Sequence, residues 1–294
     1  MALPAYATAP QRLWHYTYLG ICAVVLFFLV MPLIAVIPLS FSTSPFLHFT
    51  PEFLRLEPDA FSLRWYRQMI GDCSDPGITT VCSDRWKDGA WNSLRIGIAA
   101  TILATTLGIL CALGLSRPHL PFRKSIMALM ISPLIVPLII TASGLFFAFA
   151  KWHLVSTFTG MILAHTVLGL PFVVITVTAT LVGFDTNLMK AAASLGGTPV
   201  RSFFKVQLPL ITPGVISGAL FAFITSFDEV VVVLFVGSFK QRTIPWQMFS
   251  GIREHISPTI LAVATILTLV SVALLISVEM LRRRGERLRG ITSS

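Results

Sequence analysis

Charged side chains are scarce in this chain: 12% of its 294 residues are Asp, Glu, Lys or Arg, while 55% are hydrophobic and the mean hydropathy is +0.81. A water-soluble domain of this length needs more polar groups to cover its surface, so that class is excluded. Acidic residues are the rarer sign, 13 against 22 Lys and Arg, a formal net charge of +9. No G-x-x-x-x-G-K-[ST] run occurs, so the chain has no phosphate loop with which to hydrolyse ATP. Its cysteines and six scattered histidines make no Cys/His cluster at ligand spacing, and no metal site follows. Nor does any Ser/His/Asp or Cys/His arrangement fall in one polar region, which removes the usual basis for nucleophilic catalysis. There is no internal repeat of solenoid or propeller period, and no low-complexity tail beyond the basic end at Arg282 to Arg289.

Long apolar runs fill the space that polar residues leave. Spans of about 20 residues fit Tyr18–Phe41, Ser93–Leu115, Ser125–Ala150, Phe158–Val182, Gly214–Gly237 and Thr259–Leu281. The expectation is an all-α membrane protein of six transmembrane helices. The first run is too long for a signal-peptide core and no A-x-A-like site follows it, so it reads as a retained span. With both termini in the cytoplasm, the inside segments carry twelve basic residues, among them Arg12, Arg117, Lys190 and the Arg282–Arg289 cluster, against Asp185 and Glu286. The outside segments then hold nine Lys or Arg and eight Asp or Glu, and the positive-inside rule favours this orientation. The chain divides into a cytoplasmic N-terminus (1–17), one transmembrane domain (18–281) with an outer loop 42–92 and a cytoplasmic loop 183–213, and a basic tail (282–294). The net positive charge reflects this topology and contact with anionic lipid; nucleic acid is not implied.

Within the spans, Asp228-Glu229 is the most informative pair. Ionisable groups at such depth are expensive and usually face a protein interior or a water-filled path. Asp228 lies roughly 21 Å along the fifth expected span from Gly214. Adjacent helical residues point about 100° apart, so one carboxylate can face a pathway while the other caps or pairs elsewhere. A substrate pathway suited to a cation and an ion pair with Arg95 or Arg253 are both open readings. Pro133 and Pro137 in the third span, and Gly169 with Pro171 in the fourth, mark positions for bends or a cavity lining. In the outer loop, Leu63, Tyr66 and Ile70 suit a short interfacial helix with Trp65 and Tyr66 at headgroup level. Cys73 and Cys82 flank a DPG turn there, placed either for a disulfide or as two free thiols. Glu279 has Arg282 and Arg283 within helical pairing distance.

The longest polar interruption in the C-terminal half is Gly183–Thr212. Asp185 or Asn187 caps a helix from Leu188 to Leu195, which stops at Gly196-Gly197 where positive φ is needed. Thr198-Pro199 opens a second helix carrying Arg201, Phe203, Phe204 and Lys205, with Leu208-Pro209 as its expected end. Two capped helices too short to stand alone read as a docking element.

The residues of this loop resemble the EAA motif of membrane subunits of binding-protein-dependent ABC importers: Ala191-Ala192, three residues, Gly196, nine residues, then Val206-x-Leu208-Pro209. Lys190 stands where that family usually has Glu, and Val206 where it has Ile. Further matches are Ser217–Phe223, Asp228-Glu229, Thr243-Ile244-Pro245 and Ser257-Pro258, with FSLRWY at Phe61 and NSLRIG at Asn92. Together they resemble the second permease subunit of spermidine/putrescine-type importers over nearly the whole chain from Pro32. The resemblance implies a type I permease fold whose 183–213 loop is a coupling helix seated on a separate ATPase. It assigns coupling to Lys190, Ala191 and Ala192, to Gly196, Gly197 and Thr198, and to Phe203, Phe204, Leu208 and Pro209. It also implies two ATPase subunits that hold ATP and Mg, a second homologous permease in a heteromeric pair, a periplasmic substrate-binding protein, and a place in the bacterial inner membrane. This chain would then bind no cofactor, catalyse nothing itself and pass a small cationic solute such as a polyamine. The alternatives are an importer of the same branch for opines or other amino-acid-like solutes, and a secondary transporter driven by an ion gradient.

Overall fold

The computed structural model describes residues 8–72, 84–117, 119–254 and 257–288. Among these residues no strand forms beyond one bridge between Ser42 and Phe61. In chain order the helices are α1 (Ala9–Leu39), the short α2 (Pro51–Leu54) and α3 (Arg64–Met69), then α4 (Arg85–Leu115), α5 (Arg123–Ile135), α6 (Leu138–Lys151) and α7 (Phe158–Val182). Next, α8 (Asn187–Ser194) and α9 (Pro199–Ser202) lead through a π turn at Phe203–Gln207 into α10 (Leu208–Phe227). After it come α11 (Val231–Val236), α12 (Ile244–Glu254) and α13 (Thr259–Leu288). The expected pairing of Cys73 with Cys82 lies outside the described residues, as do the side chains of Glu279, Arg282 and Arg283.

Among the described residues, four helical stretches are long and apolar enough to cross a membrane, Ala9–Leu39, Arg85–Leu115, Phe158–Val182 and Pro199–Phe227, and α5 with α6 makes a fifth if the pair counts as one span. The fourth span, Phe158–Val182, has its expected bounds, α1 and α4 begin at Ala9 and Arg85, ahead of Tyr18 and Ser93, and the remaining three spans differ further. The third span is not one helix: α5 and α6 meet at 106°. Val136 takes extended backbone (ψ 134°) ahead of Pro137, whose ring disfavours helical geometry in the preceding residue, and the helix restarts at Leu138. The fifth span begins and ends earlier than Gly214–Gly237, because α10 stops at Phe227. The sixth lies in α13, whose described apolar stretch, Thr259–Ala273, is shorter than a full span.

By their internal contacts the residues fall into two compact units, Met1–Cys82 with Glu254–Val272 and Ser83–Arg253 with Ala273–Ser294. In the first, α1 exposes its apolar side chains along its length, as a helix solvated by lipid does. Its C-terminal end is a polar knot. Ser40 Oγ lies 2.6 Å from the Tyr66 hydroxyl, and the Trp65 indole N–H donates to the Ser42 carbonyl at 2.7 Å. Trp65 is buried, with the Arg64 guanidinium 4.2 Å over its ring, so it anchors α3 within the protein and does not present its ring to lipid headgroups as expected. Leu63 and Ile70 do stay exposed. Thr259 Oγ1 donates to Gln68 Oε1 at 2.7 Å, which ties the start of α13 to α3.

The second unit is built on α4, α7 and α10. Lipid offers no hydrophobic drive for helix association, so close approach through small residues supplies the contact. On α4 the buried residues Ala100, Ala104, Gly108 and Ala112 recur every fourth position, and on α10 so do Gly214, Gly218, Ala222 and Ser226. A Cβ at Gly218 would stand 2.8 Å from the Val173 Cα of α7, and one at Gly169 would stand 3.0 Å from the Ala222 Cβ. Beside this trio, Val232, Val233 and Val236 of α11 pack with Met161, Ala164 and Leu168 of α7 and with Ala142 and Phe149 of α6. That packing holds the segment after α10 against α7, which fixes where the polar residues between α10 and α11 stand.

Candidate functional site

The 183–213 loop folds as two capped pieces. Asp185 Oδ1 accepts the Asn187 N–H at 2.9 Å and so caps α8. At the other end, Gly196 N–H reaches the Ala193 carbonyl at 2.9 Å, Gly197 N–H reaches Ala192 at 3.0 Å, and Gly196 has φ +80°. These bonds make a Schellman stop, in which the residue after the cap adopts the left-handed conformation. Only Gly196 meets the expectation of positive φ. Gly197 is required for another reason: a Cβ there would lie 2.8 Å from both the Ala192 carbonyl and Ser202 Oγ. Thr198 then caps α9, accepting the Arg201 N–H at 3.4 Å, with Pro199 in the first turn.

Leu208-Pro209 does not end this second helix as expected. Leu208 N–H bonds the Phe203 carbonyl, the i→i+5 step of a π turn, and α10 follows without a break. Pro209 has no N–H for the Lys205 carbonyl, and its ring would crowd that carbonyl in a regular α-helix. The wider turn accommodates the ring, a local adjustment that membrane helices tolerate. Outside, Phe203 and Phe204 pack edge to face with centroids 5.0 Å apart, and Phe204 is 58% exposed. Leu195 and Val200, 90% and 68% exposed, extend that apolar surface, and neither stood out in the sequence. Lys190 is exposed, with Nζ 3.5 Å from Asn187 Oδ1, while Ala191 is exposed and Ala192 half-buried beneath the turn.

The two carboxylates expected inside the fifth span occupy the break after it. Asp228 is the C-cap of α10; its N–H bonds the Ile224 carbonyl at 3.0 Å and its side chain is exposed. Glu229, 6% exposed, turns inward, and its Oε1 accepts the Val232 N–H at 2.9 Å at the start of α11. A carboxylate is well placed there, facing the unpaired N–H groups and the positive end of the helix dipole. Glu229 is thus committed to a backbone contact, whereas Asp228 continues the exposed row Phe221, Ile224 of α10. The alternative ion pairs do not form among the described residues. The Arg95 guanidinium lies over the Phe158 ring at 4.8 Å and that of Arg253 over Phe249 at 5.7 Å.

Two groups hold this region: His165, which the sequence did not single out, and Asn92, which it marked only as the start of a motif. His165 of α7, 1% exposed, bonds Ser226 in the last turn of α10, and a lone histidine among apolar neighbours carries no sequence signal of that contact. Asn92 donates from Nδ2 to the carbonyls of Lys240 (2.9 Å) and Arg242 (3.0 Å), and Ser93 Oγ accepts the Ile244 N–H at 2.9 Å. The Asn92 and Thr243-Ile244-Pro245 motifs are therefore parts of one contact. Groups of three or more His, Cys, Asp or Glu that could hold a metal ion do not occur among the described residues.

The profile of the family described as binding-protein-dependent transport system inner membrane component matches residues 104–287, which contain both the loop and the carboxylate break. The chain is 30% identical over 225 residues to the spermidine/putrescine transport system permease protein PotC of Haemophilus influenzae, covering 76% of this chain and 83% of that protein. It is 32% identical over 214 residues to the putrescine transport system permease protein PotI of Escherichia coli K12, covering 70% and 72%. In fold it is similar to a chain of a bacterial ABC transporter involved in the import of the acidic polysaccharide alginate. That match has a TM-score of 0.68 at 11% identity and covers 93% of this chain and 99% of the other.

Proposed function

Because the chain belongs to the family of binding-protein-dependent transport system inner membrane components, we propose that the exposed face of α10 ending at Asp228 lines half of a translocation pathway for a small cationic solute of the polyamine class. The chain is a permease subunit of an ATP-driven ABC importer, a multi-pass inner-membrane transport component and not an enzyme. Family membership sets aside the carrier driven by an ion gradient. The observation that carries the pathway reading is the division of the acidic pair: Glu229 caps α11, which leaves Asp228 as the exposed carboxylate at the end of an apolar and aromatic row. A polyamine is the reading supported by the names of PotC and PotI.

The 183–213 loop is the proposed coupling element, with Leu195, Val200 and Phe204 as apolar contacts to an ATPase and Lys190 as a charged one. Two ATPase subunits holding ATP and Mg, a second and different permease, and a periplasmic binding protein complete the assembly. Both termini lie in the cytoplasm on the balance of basic residues. ATPase closure displaces the loop and biases the permease pair between inward-open and outward-open states. The binding protein governs capture of the solute, so a defect in the pathway emerges as a lower maximal rate at saturating binding protein. In proteoliposomes holding the whole importer, Asp228→Asn lowers maximal putrescine uptake per ATP hydrolysed by about tenfold, the loss of one charge-assisted contact. Uptake equal to wild type in that variant would remove Asp228 from the pathway.

A further inference from the structure

The end of α10 would leave its last carbonyls without partners unless something outside the helix supplied donors. Asp228 N–H takes the Ile224 carbonyl. The Ser226 carbonyl faces His165 Nδ1 at 3.1 Å, and Ser226 Oγ lies 2.8 Å from the same nitrogen. Nδ1 donates to the carbonyl in one tautomer and accepts from the Ser226 hydroxyl in the other, and in both His165 holds Ser226. Nε2 is buried and has no hydrogen-bond partner among the described residues. An orphaned buried ring nitrogen lowers stability. What the imidazole supplies against that cost is the Nδ1 contact with Ser226.

That bond closes a bracket around Asp228. On one side, His165 fixes the last turn of α10. On the other, Glu229 caps α11, and Val232, Val233 and Val236 are packed against Met161, Ala164 and Leu168. His165 shares the buried face of α7 with those three residues, so one helix holds both sides of the break. Asp228 lies between the two anchors, with an exposed side chain that has no partner among the described residues. We propose that His165 is a positioning residue: by holding Ser226 of α10 through Nδ1 it sets where the Asp228 carboxylate stands in the pathway. This rests on the reading of Asp228 as a pathway group.

The test is a double-mutant cycle in proteoliposomes carrying the permease pair, ATPase and binding protein, read as putrescine uptake per ATP hydrolysed. His165→Asn keeps a nitrogen near the place of Nδ1, His165→Gln moves it toward that of Nε2, and His165→Leu removes both. Each is made with Asp228 intact and with Asp228→Asn. The expected result is an approximately tenfold loss for Leu and Gln, at least half of wild-type uptake for Asn, and less than a twofold further loss when Leu or Gln is added to Asp228→Asn, since groups acting through one another are not additive. Stimulated ATPase activity reports assembly, and if the Leu variant does not assemble, the Asn and Gln pair carries the comparison. Equal losses in both backgrounds, or Asn no better than Gln, overturn the positioning role and leave Asp228 in place. Wild-type uptake in Asp228→Asn alone overturns the pathway reading and this proposal together.

Discussion

Gly196 offers a perturbation whose effect can be worked out from the backbone alone. It holds φ +80° at the stop of α8, and a Cβ built there meets nothing within 4 Å. A side chain at this position therefore loses no packing and displaces no neighbour; it changes only the energy of the turn. For an L-residue with a Cβ, the left-handed conformation costs about 1–2 kcal/mol. Asn tolerates it better, and a β-branched residue tolerates it worst. At 1.4 kcal/mol per factor of ten, Gly196→Ala reduces the population of the folded turn by roughly 5- to 30-fold relative to its alternatives. Should the α8–α9 turn carry the stroke of an ATPase, uptake per ATP hydrolysed falls in the order Gly, Asn, Ala, Val, while the amount of protein in the membrane stays constant. Uptake and ATPase rates in proteoliposomes, with immunoblots of the membrane fraction, measure both quantities. Wild-type coupling in Gly196→Val, or an Asn variant as impaired as the Val one, would refute the reasoning.

Two further substitutions probe the frame of the site. Glu229→Ala removes the buried cap of α11 and lowers the stability of the detergent-solubilised complex by about 1–2 kcal/mol, whereas Glu229→Gln keeps an acceptor for the Val232 N–H and loses less; a thermal melt in which both variants match wild type would contradict the capping role. Gly218→Val drives a branched side chain into the Val173 backbone of α7 and separates two helices packed by small residues. The expected outcome is loss of the folded permease from the membrane, and recovery of normal amounts of active protein would count against that packing.

Much of the loop was legible because its signals are local. Asp185, Thr198-Pro199 and Gly196 each act within a few residues, so their caps and turn follow from chain order. Pro209 misled because its meaning depends on the turn before it: in an α-helix it is a stop, but behind a π turn it is tolerated. Asp228-Glu229 was found as a pair, yet which carboxylate stays free depended on where α10 ends. That boundary is set by the packing of α11 on α6 and α7, which periodicity does not report. Trp65 was misread for a related reason. Its indole N–H found a carbonyl inside the protein, an option that composition cannot weigh against a headgroup.

The continuity of Pro199–Phe227 changes how a displacement at the loop would reach the proposed pathway. Had the helix ended at Pro209, a hinge would lie between the proposed coupling loop and the span, and motion at Thr198 could dissipate there. Instead 29 residues form one helical stretch, about 43 Å long. The loop sits at one end and Asp228 just past the other. Along this length α10 is locked to α7 by contacts at Gly218 and Ala222 and by the His165 bond at Ser226. Helices packed this closely resist relative sliding, because a shift presses backbone toward backbone. On the proposed coupling role, a push on the loop would move α7 and α10 together, and the carboxylate at the tip would travel with them. The proposed change of access is accordingly a rigid-body rotation, in which the least regular element, the π turn at Phe203–Gln207, is the place where strain collects.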